Sequence, residues 1–82
     1  MAKQDNQLRI NARGLETPGP RMMVESALSG GVTYESLRVV VSSKDAVDDL
    51  IGYLKSLGAS IETDYIGNDY HIFAEFGAGR TD

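Results

Sequence analysis

The run Leu37-Arg38-Val39-Val40-Val41-Ser42 limits the fold more than any other segment of the chain. Three consecutive valines are stiff at χ1 and suit an extended backbone. A stretch this continuously apolar must be covered on at least one side, so a central strand is predicted over 37–42. The rest of the chain has to supply that cover. After Ser43, the residues Val47, Leu50, Ile51, Leu54 and Leu57 recur at helical spacing. Asp45, Asp48 and Asp49 fall in the first two turns, where the helix dipole favours acids, and Gly58 closes the pattern. An amphipathic helix over 44–58 follows.

Upstream, Leu8, Ile10 and Ala12 alternate with Arg9 and Asn11, predicting a first strand over 7–12 that stops at Arg13-Gly14. Thr17 followed by Pro18 is a helix-start signal, with Thr17 as N-cap and Pro18 in the first turn. That helix should run to about Ser29, ahead of Gly30-Gly31, with Met22, Met23, Val24 and Ala27 as its apolar face. About two dozen residues separate the first two strands, enough for a right-handed crossover and parallel pairing. Residues 59–66 and 70–76 read as two strands of a hairpin around Gly67-Asn68-Asp69. The order β-α-β-α-β-β predicts a two-layer α/β sandwich, a four-stranded mixed sheet with two helices on one face.

A chain of 82 residues has room for one core, so a single domain with loose termini at 1–6 and 77–82 is expected. Cysteine is absent, which excludes a disulfide framework, Cys-based metal sites and thiol chemistry on this chain. Eight basic against twelve acidic residues give a net charge of -4, which argues against direct binding to nucleic acid. Nothing in the sequence has the length and apolarity of a signal peptide or membrane span, so a cytoplasmic protein without membrane contact is expected.

Candidate chemistry is sparse. His71, flanked by Tyr70 and Ile72, has no metal-spaced companions and reads as a half-exposed strand residue. Asp45, Asp48 and Asp49 lack the converging loop oxygens of a cation site and read as a solvated helix start. Gly77-Ala78-Gly79 is not a terminal Gly-Gly, because the chain continues to Asp82. Pro18 and Pro20 each remove an N–H donor, leaving Gly19 and Arg21 as the donors of a poor anion pocket; their expected role is to stiffen the loop that presents residue 17. Arg13-Gly14 reads as a turn in which Gly allows close backbone approach. Met22 and Met23 read as gap-filling core. No catalytic residue, metal or cofactor is predicted, and the chain is not expected to be an enzyme.

The segment from Asn11 to Pro20 resembles the D-x-R-G-L-x-C-P-x-P signature of the TusA/SirA/YedF sulfur-carrier family. Arg13, Gly14, Leu15, Pro18 and Pro20 match, Asn11 stands for the Asp, and Thr17 stands for the Cys. The stretch from Val41 to Leu50 with Gly58 is also similar to the family's strand and acidic second helix, so the resemblance spans roughly 8–76. It implies the α/β sandwich already expected. It also implies a carrier whose signature Cys, at a helix start, takes sulfane sulfur from a cysteine desulfurase and passes it on as a persulfide, for example towards tRNA thiolation.

A hydroxyl cannot replace that thiol. It does not ionise near neutral pH and forms no stable bond to sulfane sulfur. The resemblance therefore implies a non-catalytic binding or regulatory module that keeps the partner surface of Arg13, Gly14, Leu15, Pro18, Pro20 and Arg21, with Thr17 at the carrier position. Its protein partner would be a cysteine desulfurase or another sulfur-relay protein. The alternatives are a carrier whose Cys has been substituted, or a scaffold unrelated to sulfur whose open sheet face binds a protein. With Thr17 at the helix start, a cysteine placed there should titrate about one unit below a free thiol.

Overall fold

A computed structural model describes residues 6–31 and 33–76. The elements are β1 (Gln7–Ala12), α1 (Gly19–Leu28), β2 (Ser36–Val41), α2 (Lys44–Ser56), β3 (Ser60–Ile66) and β4 (Asp69–Glu75). The predicted order β-α-β-α-β-β holds. Most boundaries move by one residue, while α1 starts at Gly19 and α2 stops at Ser56. The expected loose segments 1–5 and 77–82, with the glycine-containing tail, lie outside the described residues. Asn6 was counted with them but is held: its side-chain amide donates to the Thr33 carbonyl at 2.6 Å and its own carbonyl accepts from the Glu35 N–H at 3.0 Å.

The sheet order is β1-β2-β4-β3. β1 and β2 run parallel, as the α1 crossover requires, with Leu8, Ile10 and Ala12 opposite Leu37, Val39 and Val41. β2 pairs antiparallel with β4, and β4 with β3. The second crossover therefore lays β3 parallel to β2, with β4 inserted between them as in a split βαβ unit. The hairpin loop is shorter than expected. Ile66 pairs with Asp69, leaving only Gly67 and Asn68 in the turn, and Gly67 at φ +65° supplies the positive φ that a type II′ turn needs at its first central position.

Alternation along the strands puts Ile10 and Ala12, Leu37, Val39 and Val41, and Ile72 and Ala74 on one face. Val24 of α1 and Ala46, Val47, Leu50 and Leu54 of α2 close over it. Ser43 caps α2 by accepting from the Ala46 N–H at 3.2 Å. At the other end, Gly58 N–H bonds the Lys55 carbonyl and Ala59 N–H the Leu54 carbonyl, the pairing of a Schellman motif.

Four side chains depart from the sequence reading. Met22 and Met23 are 57% and 40% exposed, because the buried stripe of α1 is Pro20, Val24, Ala27 and Leu28 at i, i+4, i+7 and i+8. On that wheel Met22 points away and Met23 lies on the flank. Leu57 is exposed at the C-cap of α2, one residue beyond the helix that would have turned it inward. His71 is buried at 8% exposure. It lies on the face opposite the helices, between Val40 of β2 and Asp64 of β3, with Arg38 Nη2 3.4 Å from its ring.

Leu50→Ala should cost about 2–5 kcal/mol of stability, while Leu57→Ala should cost less than about 1 kcal/mol. Urea unfolding of both variants checks this. Equal losses would mean that the core is wrongly placed.

Candidate functional site

The segment from Arg13 to Pro18 leaves the end of β1 and is tied to three elements. Leu15 N–H returns to the Ala12 carbonyl at 3.3 Å, Gly14 N–H donates to Ser42 Oγ at 2.9 Å, and Arg13 Nε meets Asp69 Oδ2 at 2.7 Å. Arg13 thus crosses the end of β2 to reach the start of β4. Gly14 has φ +81°, and a Cβ built on it would touch nothing within 4 Å. Glycine serves this turn through its backbone conformation, and not through the close approach anticipated from the sequence.

Thr17 is exposed but is not the N-cap of α1. Pro18 occupies that position without a side-chain cap, the Thr17–Pro18 peptide is cis, and Pro20 lies within the first turn. Gly19 N–H is satisfied instead by the Glu16 carbonyl at 2.7 Å. The Thr17 hydroxyl is turned across the surface and donates to Asp49 Oδ2 on α2 at 3.1 Å. The same oxygen accepts from Arg21 Nε at 2.8 Å, and Arg21 Nη1 reaches Glu25 Oε2 at 2.7 Å. The hydrogen bond to Asp49, followed by that to Glu25, holds the Arg21 guanidinium above its already high pKa, so it stays charged. Asp49 is therefore no part of a solvated helix start; Asp45 and Asp48 are exposed, and Lys44 pairs with Asp48 at 3.6 Å. The Asp49 link spans 32 residues to Thr17 and 28 to Arg21, with no local signal that could have revealed it.

The expected motif set splits. Leu15 is 40% exposed, and Thr17 and Pro18 are also exposed. Pro20 is fully buried, so it belongs to the core and not to a contact surface. Arg13 and Arg21 are both held by carboxylates. A Cβ on Gly19 would stand 3.4 Å from Leu15, and Gly19, Met22 and Met23 line one shallow depression with Ser26 and Ala27. Leu15, Met22 and Met23 consequently form an exposed apolar patch beside Thr17, which the sequence reading had assigned partly to the core. The Thr17 hydroxyl has as its acceptor a carboxylate shared with an arginine, and His71 lies across the sheet. Among the described residues no group of three or more His, Asp or Glu could hold a metal ion, and no helix is long and apolar enough to cross a membrane.

No family model and no curated protein sequence matches the chain. Among solved structures, a SirA-like protein from Desulfitobacterium hafniense superposes with a TM-score of 0.74, covering 83% of this chain and 95% of that one at 18% identity. The fold is SirA-like. Within it, the Arg13-to-Pro20 segment forms the β1–α1 connection and the first turn of α1, and Thr17 stands one residue before the N-cap.

Since Ser43 caps a helix and Thr17 does not, Ser43→Ala should cost about 1 kcal/mol and Thr17→Ala no more than about 0.5 kcal/mol. Chemical denaturation of the two variants measures the difference. A larger loss at Thr17 would restore it as a cap.

Proposed function

We propose that this chain is a sulfur-carrier-like protein of the TusA/SirA kind that carries no sulfur itself. It works as a non-catalytic binding or regulatory module, in the cytoplasm, in a sulfur-relay, thiolation or redox pathway. The observation that carries the reading is the SirA-like fold with five of the seven signature residues around a hydroxyl at the carrier position. Asp49 holds that hydroxyl in a hydrogen bond. The docking surface is Leu15, Thr17 and Pro18 with Met22 and Met23, and Arg13, Gly14 and Arg21 hold it in shape. Flexible, polarisable methionines next to a conformationally restricted loop suit a protein partner. A cysteine desulfurase or a sulfur-relay protein is the partner class this predicts, with neither nucleic acid nor membrane required.

Incubation with a cysteine desulfurase and cysteine should leave the intact mass of the chain unchanged, because its only sulfur atoms are thioethers. Amide NMR of the same mixture should show Leu15, Met22 and Met23 perturbed. A reducible sulfur adduct would overturn the reading, and perturbations confined to the open sheet face would favour a scaffold unrelated to sulfur.

The alternative of a carrier with its Cys substituted is tested by Thr17→Cys. With residue 17 outside the helix and beside Asp49, the helix-start acidity anticipated from the sequence is opposed by a carboxylate at hydrogen-bond distance. The thiol should titrate at or above the free value of roughly 8.5, and Asp49→Asn in the same chain should lower it. A thiol well below that value that also takes up sulfur would favour the substituted carrier.

A further inference from the structure

The open face of the sheet carries a charge arrangement that the docking surface does not use. Arg9 of β1 and Arg38 of β2 are directly opposite each other in the parallel register. Like charges in such a pair repel, and sheets ordinarily avoid the arrangement. Neither guanidinium has a carboxylate partner among the described residues: Arg9 Nε donates to the Gln7 side-chain oxygen at 2.9 Å, and Arg38 lies over the Phe73 ring at 5.1 Å with Nη2 3.4 Å from His71 Nδ1. Arg13 and Arg21, by contrast, are both neutralised by carboxylates. The chain has twelve acidic residues and a net charge of -4, yet none of the acids among the described residues pairs with either guanidinium.

The pair borders a depression of about 330 Å³ lined by Arg9, Asn11, Arg13, Arg38, Val40 and His71 among others, with no carboxylate in the lining. Two acids share this face on β3: Glu62 lies in the Arg9–Arg38 row beyond Phe73, two strands from Arg38 or roughly 9–10 Å at ordinary strand spacing, and Asp64 pairs with His71 on the side away from Arg38. His71 is a buried polar side chain. Its Nδ1 stands 3.4 Å from Arg38 Nη2, and its ring lines the same depression. Guanidinium forks are matched to tetrahedral oxyanions.

We propose that this depression binds a small phosphomonoester. Two uncompensated positive charges call for a dianion, which a carboxylate, a sulfate ester or a phosphodiester does not supply. Arg9 and Arg38 would clamp the phosphoryl oxygens, and Val40 and His71 line the space beside them. The site is on the face away from Thr17; of the residues that line it, Arg13 also braces the proposed docking surface, while Arg9 and Arg38 do not.

The test is amide and arginine side-chain NMR of the full chain titrated at about pH 7.5 with methyl phosphate, a dianion there because its second pKa is near 6. Dimethyl phosphate and sodium chloride at matched ionic strength are the controls. Saturable shifts at Arg9, Arg38 and His71 are expected, about tenfold or more stronger for the monoester. Arg38→Gln and, separately, Arg9→Gln should each weaken binding at least about tenfold, whereas Lys55→Gln on α2 should not. Arg9 is on an edge strand, so its variant keeps the test decisive if Arg38→Gln loses the native spectrum. Equal responses to the diester or the salt, shifts centred on α1, or binding that survives the Arg9 variant would each overturn the proposal.

Discussion

Burial on one side of the sheet governs this molecule. Leu37, Val39 and Val41 have no solvent exposure, and their cover comes from Val24 of α1 and Leu50 and Leu54 of α2, all fully buried. Both helices cover that one face, and Arg9, Asn11, Arg38, Glu62 and Asp64 stand on the other. β1 and β3 are the edges, and the charged residues that interrupt both discourage further strand pairing. The polar face is thus a consequence of how the core is built. Its arginine pair exceeds what edge protection alone would require.

On the helix side, the tie between α2, α1 and the β1–α1 loop is Asp49. One carboxylate oxygen receives both the Thr17 hydroxyl and Arg21, so α2 controls the orientation of a loop that belongs to β1 and α1. A residue poised for group transfer would need an unencumbered nucleophile and a group to activate it. The hydroxyl instead donates to a carboxylate that an arginine also occupies. In the proposed reading, that arrangement serves a fixed contact surface, with the exposed Leu15, Met22 and Met23 beside it as the apolar area a partner would bury.

The sandwich itself was legible in the chain. The valine run marked a central strand, the 3.6-residue spacing of Val47, Leu50 and Leu54 marked α2, and two dozen residues between the first strands implied a parallel crossover. The errors share a cause. Met22, Met23 and Leu57 are apolar and near helical periodicity, but hydropathy alone does not say which degree of the wheel faces the sheet, nor where a helix stops. The residues flanking His71 predict a half-exposed strand position, while Arg38 and Val40 of β2, far away in sequence, stand against it.

For the candidate site, the division follows the range of the interactions. Local sequence determined that a Gly turn leads from β1 into a proline-containing helix start, that no thiol is present, and that acids gather at the start of α2. These depend on backbone preferences and side-chain chemistry within a few residues. Tertiary structure alone decided that Thr17 leaves its own helix for Asp49, that Pro20 enters the core while Leu15 stays outside, and that Arg9 and Arg38 face one another. Each of those outcomes needs two elements docked at a definite register or angle. That placement is set by how Val24, Leu50 and Ile72 fill one shared volume, which no single segment specifies.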